Sequence, residues 1–177
     1  MITSHGYASV PAELKINIFK LWEKILNFSS CPVGMNLGGT TNVPGGAAKM
    51  EMAHHSSSLP DGTYAGSAAS WLLEVGGKRI FLAGDTCLFS DMERIGRLDP
   101  QGKRIDVAVL PIGDMFTMGP DDSLEAIRLL KPHSVLPCHY GTWPPIEQDV
   151  EKWAARVREE GIASPHVMAP GESLTLQ

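Results

Sequence analysis

The chain has 177 residues, 43% hydrophobic and 20% charged, which fits a single globular domain with a real core and excludes a disordered or low-complexity polypeptide. A net charge of -5 argues against a nucleic-acid partner, which calls for a basic face. No apolar run approaches the roughly 18 residues a bilayer span requires, and no basic segment followed by a short apolar core marks a signal peptide.

In chain order, residues 11 to 28 read PAELKINIFKLWEKILNF. Ile16, Phe19, Leu21, Trp22, Ile25 and Leu26 recur at helical spacing, predicting an amphipathic helix from about Pro11 to Asn27. Residues 32 to 48, rich in Gly, Thr, Asn and Pro, are expected to be turn and loop. KMEMAHH predicts a strand ending in histidines. AASWLLEV, the turn GGK and RIFLAGD predict a hairpin, with Gly76-Gly77 supplying positive φ. SDMERIG predicts a short helix capped by Ser90. DVAVLPIG is a continuous apolar run, hence a strand buried on both faces. GPDDSLEAIRLLK predicts a helix opened by Pro120 and stopped at Lys131-Pro132. SVLPCHY predicts another buried strand, IEQDVEKWAARVREEG an amphipathic helix closed by Gly161, and HVMAPGESLTL a strand, turn and strand. Strands followed by alternating strand and helix predict α/β layers, with helices covering a mixed sheet.

Function in such sheets gathers beyond strand ends. Three predicted strands finish on metal-capable groups: His54 and His55 in MEMAHHSSS, Asp85 in FLAGDT and His139 in VLPCHYGT. Two imidazoles and a carboxylate make a ligand set for a divalent ion. Each residue also has a plainer reading, as a structural histidine or a Gly-Asp turn. His133 and His166 read as surface or capping residues. The three cysteines, Cys31, Cys87 and Cys138, form no CxxC pair and suggest reduced thiols and a cytoplasmic location. Cys138 and His139 are strand neighbours that point to opposite faces, so Cys138 reads as core rather than nucleophile. No Gly-x-Ser-x-Gly elbow or phosphate-binding loop is present.

The segments AHHSSS, IFLAGDTCLFSDM, VAVLPIGDMFTMGPDDSLEAIRLLKP and VLPCHYGTWPPIEQD together resemble the metal-dependent hydrolase branch of the metallo-β-lactamase superfamily. The resemblance runs from about Cys31 to Gln177, so residues 1–177 are expected to form one domain, with 1–30 a divergent helical segment and 31–177 a family-like core. It implies an αββα sandwich: two mixed sheets face to face with helices outside. It implies a site at one edge of the sandwich holding one or two divalent ions, zinc first, with manganese or iron as alternatives. Position by position, His55 matches a ligand of one metal, Asp85 the bridging carboxylate and His139 a ligand of the second metal. His54 matches a variable position and is a further ligand candidate. Asp114, in the loop beside the site, joins Asp85 as a candidate catalytic residue, and Ser56 and Thr86 are candidates to hold ligands in place. The implied activity is hydrolysis of an ester, lactone or phosphoester by a metal-bound hydroxide acting on a small-molecule substrate.

The sequence departs from the family in one place. The motif His-x-His-x-Asp-His is absent, and TSHGYASV, with His5, is the nearest remnant, leaving His5 as a candidate ligand. The expectation is therefore an N-terminally truncated fold, with an exposed sheet edge that favours a homo-oligomer, a symmetric dimer in the first instance. The alternative function is a catalytically impaired remnant that serves as a binding or assembly protein.

Overall fold

In a computed structural model the described residues are 34–176, together with the backbone of three short strands, β1 (Ile2–Thr3), β2 (Leu14–Ile16) and β3 (Pro32–Val33). The main sheet has seven strands in the order β10-β9-β8-β7-β6-β5-β4. These are β4 (Thr40–Val43), β5 (Gly46–Met52), β6 (Ala69–Val75), β7 (Lys78–Leu82), β8 (Val107–Pro111), β9 (Ser134–Cys138) and β10 (Ser164–Pro165). From β4 to β7 the pairing is antiparallel, and from β7 to β10 it is parallel. β11 (Leu174–Leu176) pairs with β2, and β1 with β3, in two separate two-stranded ladders.

The alternation of side chains along each strand divides the core into two layers. Phe81, Ala108, Leu110 and Val135 point to one face, where they meet three helices: α1 (Met92–Ile95), α2 (Pro120–Leu130) and α3 (Val150–Glu160). Ile80, Val107, Val109 and Leu136 point to the other, where they meet Leu176 of β11. Because β8 is covered on both faces, all five of its residues are buried, as its unbroken apolar run requires. The helical layer is anchored by Trp153, which is 1% exposed and donates its indole N–H to Ser123 Oγ at 2.7 Å. Fully burying each large apolar side chain of this kind stabilises the fold by about 1.5–3 kcal/mol.

Several expectations hold in detail. Gly76 and Gly77 turn the β6–β7 hairpin with φ of 60° and 75°. Pro120 opens α2, and Gly161 closes α3 in the left-handed conformation. Others are corrected. Residues 32 to 48 are not one loop: Thr40–Val43 pairs with Gly46–Lys49, because its β-branched residues suit a strand and Gly45, with φ 80°, turns the chain. β5 therefore starts earlier than expected and stops at Met52, before the histidines. The N-cap of α1 is Asp91, not Ser90, and it makes no side-chain cap bond. α3 begins at Val150, with Asp149 accepting the Lys152 N–H at 2.9 Å, and Pro144–Ile146 forms a separate 3-10 turn. Within the expected N-terminal helix, Leu14–Ile16 is a strand paired with Leu174–Leu176; the rest of that helix lies outside the described residues.

The topology fixes one feature of functional weight. Two antiparallel steps separate β5 from β7, and β7, β8 and β9 are parallel, so all four strands run the same way. Their C-terminal ends therefore share one edge of the sheet.

Candidate metal centre

That edge receives every sequence-predicted site residue among the described ones. His54 and His55 follow β5, Asp85 follows β7, Asp114 follows β8 and His139 follows β9. His5 lies outside the described residues. Asp85 and His139 meet: Asp85 Oδ2 lies 3.8 Å from His139 Nε2. Two groups at that spacing are too far apart to share a hydrogen bond, and the spacing is compatible with two ligands of one ion, whose bonds would be about 2.0–2.2 Å.

The backbone holds His139 in place. Its φ is 53°, a left-handed conformation for a non-glycine residue, immediately after β9 ends. Its Nδ1 is buried without a hydrogen-bond partner among the described residues. The ring is instead positioned by close packing against Gly113, where an added Cβ would stand 2.1 Å from His139 O and 3.1 Å from Nδ1. Gly113 O in turn accepts a hydrogen bond from Gln148 Nε2 at 3.1 Å. Neither Gly113 nor Gln148 stood out in the sequence; the Gly directly after the apolar run VAVLPI was the available signal for the first, and there was none for the second.

Thr86, fully buried, knits the β7 end to the β5 end. Its hydroxyl accepts the His54 N–H at 2.9 Å and donates to Cys87 O at 2.9 Å, while Cys87 N–H donates to His54 O at 3.2 Å. Thr86 thus braces the histidine segment through its backbone. The exposed His54 ring stacks on Phe89 with centroids 5.0 Å apart and sets Nε2 2.9 Å from Met52 Sδ. The exposed His55 ring places Nδ1 3.0 Å from Ser56 O. A backbone carbonyl bound at Nδ1 fixes the tautomer whose Nε2 carries the lone pair, the usual arrangement of a ligating imidazole. Ser56 acts through its carbonyl, not its hydroxyl.

Asp114 has φ 62° and Met115 φ 52°, a tight reversal closed by Asp114 Oδ1 accepting the Met115 N–H at 2.7 Å. Met118 N–H donates to Thr86 O at 3.0 Å, tying this loop to the one that carries Asp85. Burial pushes the Cys138 thiol up to about 12, and the Asp85 carboxylate adds to the shift; the half-buried side chain packs against the Ile80 and Leu136 face of the sheet, in keeping with a packing role. Cys87 is exposed. His133 is exposed, and His166 Nε2 lies 3.3 Å from Ser134 Oγ.

The donor chemistry fits a divalent ion at two positions, Asp85 and His139, and His55 offers a suitably prepared third on the same edge. His55 does not join the pair: among the described residues no three His, Cys, Asp or Glu side chains are grouped closely enough to hold an ion.

Residues 13–140 match the model of the beta-lactamase superfamily domain. The chain belongs to that superfamily. A Thermus thermophilus protein named as a metal-dependent hydrolase is 54% identical over 81% of this chain and 62% of its own length. A Pelotomaculum thermopropionicum protein with the same naming is 38% identical over 99% of this chain and 82% of its own. Among solved structures, Igni18, a metallo hydrolase from Ignicoccus hospitalis, aligns at TM-score 0.72 and 34% identity, covering 90% of this chain and 65% of that one. The sheet with helices on one face is thus the metallo-β-lactamase architecture. The chain spans about three-fifths of the length of the Thermus relative. No helix among the described residues is long and apolar enough to cross a membrane.

Proposed function

We propose that the protein is a metal-dependent hydrolase of an ester, lactone or phosphoester, with Asp85 and His139 as the centre of its site. One observation carries this reading: two donors from β7 and β9 converge to 3.8 Å at the edge to which β5 also delivers His55. The names of the relatives support it.

Asp85 and His139 would hold the ion, with His55 as third donor and His5 as a further one. Zinc suits this mixed imidazole–carboxylate set, as do manganese and iron. Bound there, the ion supplies Lewis acidity and acidifies water. The side chains do the rest. Asp85 accepts a hydrogen bond from the attacking water, orients it toward the scissile carbonyl or phosphoryl centre and takes up its proton. The C–O or P–O bond then breaks, and that proton passes to the leaving oxygen, giving acid and alcohol. Gly113 keeps His139 in its left-handed pose, and Asp114 shapes the adjoining loop. A symmetric dimer and a cytoplasmic location complete the reading.

A binding protein without turnover is the second reading, favoured by the absence of a third grouped donor among the described residues. The deciding experiment is a panel of p-nitrophenyl esters, lactones and phosphodiesters, assayed with added zinc or manganese in the wild type and in Asp85→Asn. Metal-dependent turnover that falls at least a hundredfold in the variant supports the hydrolase. Turnover that is absent throughout, or equal in both proteins, sinks it.

A further inference from the structure

We infer that the site takes an uncharged substrate with an apolar group beside the scissile bond, a carboxylic ester or lactone rather than a phosphoester, and that Phe116 and Trp143 receive that group. This rests on the hydrolase reading above and narrows it.

Three observations carry the inference. The first is where apolar surface is exposed. Six large hydrophobic side chains stand exposed among the described residues. Leu98 apart, all of them lie on loops at the site edge: Leu59 and Tyr64 after β5, Met115 and Phe116 after β8, and Trp143 after β9. Exposed apolar side chains scattered singly need no explanation, but a concentration around a chemically equipped edge marks a recognition surface.

The second is pre-organisation. Phe116 and Trp143, each 48% exposed, stack on one another with centroids 5.7 Å apart and planes 17° from parallel. They come from different loops, so the pair is a built surface and not a local sequence effect. Trp143 follows His139 by four residues, which limits their separation to about 14 Å. The loop of Phe116 is tied to the Asp85 loop through the Met118–Thr86 hydrogen bond of 3.0 Å. A flat, half-exposed aromatic surface of this kind gains most from an aryl or alkyl group laid against it.

The third is charge. The stretches 53–68, 83–91, 112–119 and 139–149, which form the edge, contain no Lys or Arg, although the chain has 15. They contain Asp61, Asp85, Asp91, Asp114, Glu147 and Asp149. Phosphate recognition draws on Arg or Lys. Among the described residues this edge offers neither, and its acids repel an anion that the ion at Asp85 and His139 would have to neutralise.

The test has two independent arms. In the first, kcat/KM is measured with zinc for p-nitrophenyl acetate, butyrate and octanoate and for bis(p-nitrophenyl) phosphate. In the second, 2-butyronaphthone, a neutral ketone that cannot be hydrolysed, is titrated into metal-stripped protein and its dissociation constant read by saturation-transfer NMR. Both arms compare the wild type with Phe116→Ala, Trp143→Ala and Trp143→Phe. In the wild type, kcat/KM rises with acyl length and exceeds that for the phosphodiester. Either alanine variant raises KM for the octanoate and weakens ketone binding by about tenfold, and Trp143→Phe largely restores both. Ketone binding that responds to Trp143→Ala in a protein without ester turnover keeps Phe116 and Trp143 as the surface for an apolar group, but removes the hydrolase reading and with it the ester or lactone assignment. A preference for the phosphodiester overturns the inference. So does ketone binding that is absent, or equal in all four proteins. A Trp143→Ala variant that dissociates a dimer in sedimentation without weakening the ketone also overturns it, and assigns the surface to a second copy of the chain.

Discussion

Gly113 stands so close to His139 that a Cβ on it would sit 2.1 Å from the histidine carbonyl. That contact is how the segment after β8 sets the pose of the residue that follows β9, and it makes a glycine a determinant of the site.

Gly113→Ala is therefore expected to displace His139. The clash is with backbone, which cannot swing aside, and overpacking of this kind costs about 1–3 kcal/mol. Metal binding is expected to weaken by more than the loss of stability explains, since a ligand displaced by an ångström no longer reaches the ion. Thermal unfolding and a metal-binding isotherm, taken on the same variant, separate the two effects; an alanine variant with wild-type metal affinity would show that the packing is incidental.

Thr86→Val keeps shape and removes the hydroxyl. The His54 N–H then loses its acceptor at a part-buried position, a penalty of roughly 0.5–1.5 kcal/mol. Because that bond pins the segment carrying His55, the His54 and Cys87 amides are expected to exchange with deuterium markedly faster in the variant, while those of β8 are slowed or sped only by the change in global stability. Unchanged exchange at His54 would show that the segment is braced by other contacts.

The Glu51 carboxylate gives a pH prediction. It is 2% exposed, with Arg94 Nη2 at 2.5 Å and Lys49 Nζ at 2.7 Å, and joins β5 to α1. Burial alone raises its pKa, but the hydrogen bonds and charges of Arg94 and Lys49 outweigh that and hold it below the ordinary glutamate value of 4.5. A carboxylate with a lowered folded pKa stabilises the fold fully above its unfolded pKa and loses that contribution as pH falls through the folded one. Glu51→Gln is expected to lower stability by roughly 1–3 kcal/mol near pH 7, with the difference from wild type shrinking below about pH 4.5. Urea melts at pH 7 and pH 3.5 check this; an equal difference at both would remove the ion pairs as its source.

How much of this was legible in the sequence depends on whether the signal was local. Asp85 and His139 were readable because each ends a continuous apolar run, and such a run is a strand that delivers its last residue to an edge. The helices α2 and α3 were readable from Pro120, Lys131 and Gly161. Leu14–Ile16 was not, since its partner is Leu174–Leu176, at the other end of the chain, and a helical repeat covers the same letters. Thr40–Val43 was masked by the glycines and proline around it. His54 and His55 looked alike in sequence, and both are exposed; only their contacts, Phe89 for one and the Ser56 carbonyl for the other, tell them apart. Gly113 was invisible as a determinant because its role lies in what it lacks.

The proposed metal site rests on Asp85 and His139, which follow β7 and β9, two parallel strands of one sheet with β8 between them, as ligands of the same ion. It is tested most directly by titrating zinc into chelator-treated protein and reading the dissociation constant by calorimetry for the wild type, Asp85→Ala and His139→Ala. A defined site is expected in the wild type and a loss of at least tenfold in affinity in each variant, with the double variant little worse than either single one because the pair acts as a unit. Wild-type affinity retained in both single variants, or no saturable binding in the wild type, would contradict it.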